Sequence, residues 1–156
     1  MDEVSSIDKD RVAIMGWSLG GYVAARIACW PGNNIKTCVI GNSVTNLVSM
    51  YSCSNCFEFM AFMREGFWKS DDNLKKYLDA SPIKYIGNMK AATLIQHGTL
   101  EPSIPVEQGR EFYYSLRFAG KKVKMTEFPK AGHVFDNPGD LRYASRDVVN
   151  WLRENL

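Results

Sequence analysis

An α/β fold, with a mainly parallel sheet flanked by helices, is what this sequence predicts, and three observations carry the expectation. Short apolar runs alternate with longer stretches of helical periodicity, the order that parallel strands joined by crossover helices require. The short runs are continuously apolar rather than alternating, which suits strands covered on both faces. The chain of 156 residues, 46% hydrophobic and 12% aromatic, matches one domain of about 150 residues. A chain of that size buries roughly 68–70% of its unfolded surface, enough for a core without staples.

The elements follow in order. Arg11-Val12-Ala13-Ile14-Met15 is a compact apolar strand. The glycine-rich turn Gly16 to Gly21 follows it, and Tyr22 to Trp30, rich in small residues, reads as a helix. Thr37 to Gly41, Ala92 to Gln96 and Val123 to Phe128 read as three further strands. Between the last two, Pro105 suits a first helical turn and Gly120 the left-handed stop after it. From about Asp140 to Leu156 the residues Leu141, Ala144, Val148, Trp151 and Leu152 recur at helical spacing, a stripe that reads as core packing. The long segment from Asn42 to Met89 is expected to hold two or more helices. Its aromatic and Met-rich residues (Met50, Tyr51, Phe57, Phe59, Met60, Phe62, Met63, Phe67 and Trp68) suit a satellite core or, in part, an apolar substrate pocket.

Composition excludes several functions. Nineteen basic against 17 acidic residues give a net charge of +2, and the sequence pI of about 8.3 falls short of the pI above 9 typical of a nucleic-acid binder. No run approaches the ~18–20 apolar residues of a membrane span, and the acidic start Met1-Asp2-Glu3 is unlike a signal peptide. A cytoplasmic protein is expected, with no nucleic-acid or membrane partner. The four cysteines are too few for a disulfide scaffold. Cys53 and Cys56 have CxxC spacing, but without a second pair or a nearby His they read as a reduced loop pair, metal or redox use being the lesser alternative. Neither metal nor cofactor is expected.

The strongest chemical signal is Gly16-Trp17-Ser18-Leu19-Gly20, a GxSxG between a strand and a helix. A serine on so tight a turn projects its hydroxyl above the sheet edge, and the flanking glycines Gly16 and Gly20 avoid clashes a side chain would suffer. The backbone N–H of Leu19, at the start of a helix, then points where charge develops on a carbonyl oxygen. The bland alternative is a glycine turn with an idle serine.

A serine hydroxyl needs a base to take its proton, and the sequence offers two histidines, His97 and His133. In α/β-hydrolases the order along the chain is Ser, acid, His, which selects His133; His97 reads as structural, shaping the acid loop beneath it, with a base role as the lesser alternative. The acid of this order is Glu101, in the loop after the third strand, where its carboxylate could hold His133 in the productive tautomer. Asp136 and Asp140 follow His133 and sit on the wrong side for the order. A solvated loop residue is the alternative for Glu101.

These motifs carry a resemblance. Asp8 to Tyr22, with its Gly-x-Ser-x-Gly-Gly elbow, resembles the catalytic domain of the prolyl oligopeptidase family of serine peptidases, and Leu19 stands where an aromatic is common. Ser81-Pro82-Ile83-Lys84-Tyr85-Ile86, Leu94-Ile95-Gln96-His97-Gly98, Ile104 to Gly109 and Asn42-Ser43-Val44-Thr45-Asn46 are similar to the acylaminoacyl-peptidase branch, and Gly132-His133 to the family's catalytic histidine. The resemblance runs from about Ile7 to the C-terminus. It implies the C-terminal part of an α/β-hydrolase fold without the N-terminal strands, a partial catalytic domain over residues 1–156 with no propeller domain. It implies a serine peptidase that acts through an acyl-enzyme on N-acylated peptides. Ser18 and His133 carry over directly, whereas Glu101 stands where the family has an aspartate, and Pro102 after it is also a departure. The elbow strand, central in the full sheet, is expected to have an open side here, so a second copy or a complementing chain is a candidate partner. Two other functions fit the same residues: a non-catalytic remnant that binds a related chain or a peptide, and a carboxylesterase for small esters.

Overall fold

The computed structural model describes residues 8–56 and 70–156. Along the chain run β1 (Val12–Trp17), α1 (Leu19–Ala28), β2 (Ile35–Gly41), α2 (Leu47–Cys53), α3 (Asp71–Ala80), a 3₁₀ segment (Pro82–Asn88), β3 (Ala92–Gly98), α4 (Val106–Phe118), β4 (Val123–Phe128) and α5 (Pro138–Asn155). The four strands are parallel and ordered β1-β2-β3-β4, as the alternation of apolar runs and helical patterns implies. Register pairs Trp17 with Gly41, Gly41 with Gln96, and Gly98 with Phe128. All four strands therefore end along one edge of the sheet, the edge from which open α/β sheets present their functional loops.

Helices on both faces explain why the central strands read as continuous apolar runs. On one face the small residues Ala24, Ala25 and Ala28 of α1 let the helix lie close to Cys38 and Ile40, while Phe112 and Leu116 of α4 complete the cluster around Ile95. Each large apolar side chain buried this way contributes about 1.5–3 kcal/mol. On the other face Trp151 of α5 packs on Val39 and Leu94. Apart from Lys36, every residue of β2 is buried, and β3 is buried beyond Ala92. At the sheet's edge β1 instead alternates, leaving Met15 at 62% exposure.

Two expectations change. The elbow helix begins at Leu19 rather than Tyr22, because a single residue, Ser18, makes the whole turn. Leu141 does not join the core stripe. It is exposed, since α5 packs on β2 and β3 and its first turn borders an open groove of about 520 Å³ with Met15, Trp17 and Val148. Ala144 and Trp151 are buried as the spacing predicts, Ala144 beside Phe128 and Phe135 and Trp151 with Val148 and Leu152 packed against its cluster. Of the aromatic segment, Met50 and Tyr51 join a satellite cluster with Leu47, Tyr77 and Ile104, whereas the seven residues from Phe57 to Trp68 named above lie outside the described residues. Among the described residues, no helix is long and apolar enough to cross a membrane.

Candidate active site

Ser18 stands between β1 and α1 with φ 56° and ψ −125°, a backbone conformation that costs an L-residue of order 1–3 kcal/mol. Two hydrogen bonds hold it there: its N–H donates to the Gly41 carbonyl (2.8 Å), and its own carbonyl accepts from the Tyr22 N–H (3.1 Å). The turn is sharp enough to press the end of the strand against the start of the helix. A Cβ on Gly16 would lie 2.2 Å from the Gly20 carbonyl oxygen, and one on Gly21 2.7 Å from the Ser43 Cβ. Gly20 differs from its sequence-based reading, since a Cβ there would meet nothing within 4 Å; the steric need falls on Gly16 and Gly21. Leu19 opens α1, so its N–H is among the first-turn donors that have no partner within the helix and lies at the positive end of the helix dipole.

Glu101 and His133 meet across the loops that follow β3 and β4. The Glu101 carboxylate accepts from Nδ1 of His133 through Oε2. Through Oε1 it also accepts from the N–H groups of Ser103 (2.6 Å) and Ile104 (3.2 Å). Pro102 therefore does not expel the glutamate; the loop folds around it, and the Glu101 side chain is fully buried while that of His133 keeps 39% of its surface exposed. With Nδ1 donating, Nε2 of His133 is left as an acceptor, the tautomer a general base requires. Asp136 is exposed, and Asp140 lies in the first turn of α5, its N–H bonded to the capping Asn137 side chain.

His97 is fully buried in β3 and donates from Nε2 to the Ile104 carbonyl at 2.8 Å. The same Ile104 donates its N–H to Glu101, so the reading of His97 as the support of the acid loop matches the geometry. A carbonyl can only accept, which makes Nε2 the protonated nitrogen; Nδ1, beside Gly109, has no partner among the described residues. Burial holds the pKa of His97 below its ordinary value, against the opposing pull of the Ile104 carbonyl and the Glu101 charge.

Sequence reasoning missed what holds the two loops together. Gly98 ends β3 so close to the next loop that a Cβ would lie 2.4 Å from the Ala131 carbonyl oxygen, and Leu100 donates its N–H to that carbonyl at 2.9 Å. Asn42, buried at the end of β2, accepts from the Gly98 N–H (2.8 Å) and donates to the carbonyls of Gly132 (3.0 Å) and His133 (2.9 Å). The indole of Trp17 donates to the same His133 carbonyl at 2.9 Å. A signal existed: a polar residue directly after a fully buried strand must find partners.

Cys53 and Cys56 are free, the first exposed and the second partly so. Among the described residues, no group of three or more His, Cys, Asp or Glu could hold a metal ion. Cys29 and Cys38 are free and buried; burial pushes the Cys29 thiol up to about 11 and that of Cys38 further still.

Known proteins share this layout. The chain is 30% identical over 155 residues to mouse acylamino-acid-releasing enzyme, a match spanning 96% of this chain and 21% of the mouse protein. In three dimensions it superposes on the uncomplexed acylaminoacyl peptidase of Pyrococcus horikoshii with a TM-score of 0.86 at 24% identity, over 96% of this chain and 25% of that one. An acylaminoacyl peptidase in complex with Z-Gly-Gly-Phe-chloromethyl ketone aligns with a TM-score of 0.74 at 27% identity, over 85% and 21% of the two chains. The chain thus spans about a fifth to a quarter of the length of these relatives. The family model of the prolyl oligopeptidases matches residues 1–156, from end to end, and the chain belongs to the prolyl oligopeptidase family.

Proposed function

We propose that this chain carries the nucleophile, base and acid of a serine peptidase that acts on N-acylated peptides through an acyl-enzyme. The observation that carries the reading is the pairing of His133 with the buried Glu101 carboxylate, at the same sheet edge as a serine held at φ 56°. In this mechanism His133 Nε2 takes the Ser18 proton as Oγ attacks the substrate carbonyl, and the Leu19 N–H donates to the oxyanion that forms. The intermediate then collapses, His133 gives its proton to the departing amine, and water hydrolyses the acyl-enzyme by the same steps. Glu101 remains an anion throughout, holding the tautomer and stabilising the imidazolium. A base so placed contributes on the order of 10²–10⁴-fold, and one oxyanion donor about 10²–10³-fold.

The substrate class rests on relatives named acylamino-acid-releasing enzymes, and a cytosolic compartment fits four free thiols, since reducing compartments keep cysteines unpaired. A fluorophosphonate probe tests the mechanism: the native chain is labelled and Ser18→Ala is not, whereas equal labelling of the two refutes it. Turnover of an N-acetyl peptide and of a p-nitrophenyl ester then tests the substrate class. Turnover of the ester with none of the peptide assigns an esterase instead.

A further inference from the structure

We propose that Asn42 is a positioning residue for the base, and that its carboxamide sets where His133 stands relative to Glu101 and Ser18. The proposal rests on the serine-hydrolase reading above for its consequence, though not for its geometry. The Asn42 carboxamide bonds to backbone groups rather than to the imidazole or the hydroxyl. It occupies the seam between the loop that carries the acid and the loop that carries the base, and it satisfies backbone groups on both sides. Its oxygen takes the Gly98 N–H, three residues before Glu101, and its two amide hydrogens take the carbonyls of Gly132 and His133.

Only one orientation of the amide can do this, because the N–H must meet oxygen and the two carbonyls must meet hydrogen. No other uncharged side chain of that length offers one acceptor and two donors. The backbone of Asn42 is itself held at φ 37°, in the left-handed region that Asn tolerates better than most residues, and its N–H extends the ladder to the Gln96 carbonyl at 2.9 Å. The clamp is therefore rooted in the two central strands. Trp17, directly before the nucleophile, donates to the same His133 carbonyl, so one carbonyl registers the base against both the central sheet and the elbow.

Uniformly ¹³C,¹⁵N-labelled chain provides the test. In the native protein the Asn42 side-chain amide protons exchange slowly with solvent and show couplings across their hydrogen bonds to Gly132 and His133, and a downfield His133 Nδ1–H resonance reports the bond to Glu101. Asn42→Asp keeps the volume and the acceptor but sets oxygen against two carbonyls; Asn42→Gly removes the carboxamide and relieves the positive φ. In either variant with retained secondary structure and cooperative unfolding, the His133 resonance is lost. Fluorophosphonate labelling of Ser18 then slows on the order of 10²-fold, the scale of a 1 Å misplacement. Folded variants that keep the resonance overturn the proposal, and so do native Asn42 amide protons that exchange at the solvent rate, a measurement that decides even where both variants fail to fold. A native chain that the probe never labels, but whose His133 resonance depends on Asn42, overturns the hydrolase reading and leaves the clamp standing.

Discussion

The elbow and the loops that carry Glu101 and His133 hold their side chains by a different balance of crowding and hydrogen bonding. Around Ser18 the constraint is mostly local and steric: a strand, one strained residue and a helix, with Gly16 and Gly21 where backbone and side chain leave no room, and one bond from the Ser18 N–H to the distant Gly41 carbonyl. Around His133 it is long in sequence and polar, and a carboxylate 32 residues upstream, an amide 91 upstream and an indole 116 upstream converge on one residue. Crowding of backbone atoms fixes a position within a short motif, whereas hydrogen bonds among buried groups can fix one between segments that meet only in the folded state.

The sharpest way to break this contrast is Gly16→Ala. The new Cβ would press on the Gly20 carbonyl at 2.2 Å, and backbone cannot yield as a side chain can. A loss of about 3 kcal/mol, the upper end for overpacking, is expected in chemical denaturation; a loss below 1 kcal/mol would mean the elbow is not sterically locked.

A smaller effect is expected at the acid loop. His97→Leu leaves the Ile104 carbonyl without its donor in the interior, at a cost of about 1–3 kcal/mol, whereas His97→Gln, which can still reach that carbonyl, costs less. The pair also separates hydrogen bonding from titration. The folded state holds the pKa of His97 below the ordinary 6.5, so the unfolded chain binds this proton first as pH falls. Native His97 therefore contributes its full stability above pH 6.5, and that contribution is lost as pH drops below it. In His97→Gln the fall in stability between pH 6.5 and pH 5 is shallower than in the native chain, as measured by the denaturation midpoint at each pH; equal slopes would show that His97 does not titrate in this window.

The smallest effect, and of opposite sign, is at Gly20. With nothing within 4 Å of a new Cβ and a place in the first turn of α1, Gly20→Ala is expected to gain up to about 1 kcal/mol from helix propensity. A loss instead would return the steric role to this glycine.

Much of this was legible in advance because it follows local rules. The strand expected over Val123–Phe128 matches β4 residue for residue, and Pro105 and Gly120 bracket α4 as their fixed dihedral and left-handed tolerance imply. Ser18, Glu101 and His133 follow the ends of β1, β3 and β4, along one edge of the sheet. The misreadings were tertiary. Leu141 has the spacing of a core residue, but the strand it would cover lies beyond the two on which α5 packs. Gly20 belongs to the motif, yet its crowding depends on what stands opposite. Asn42 gives no periodic signal, since its partners lie 56 to 91 residues away. Gln108 is a like case: it is buried in α4, and its carboxamide accepts from the N–H groups of Thr45 and Asn46 and so anchors the segment entering α2.

The cysteines offer a practical handle. Two thiols are shielded in the interior and hold their protons tightly, so a maleimide dye at neutral pH discriminates strongly in favour of Cys53 and Cys56. Between those two, the Ser54 hydroxyl grips the Ser103 carbonyl and the Asn55 N–H that of Pro102. A fluorophore installed there would sit next door to the glutamate's loop and report its rearrangements without any change to Ser18, Glu101 or His133.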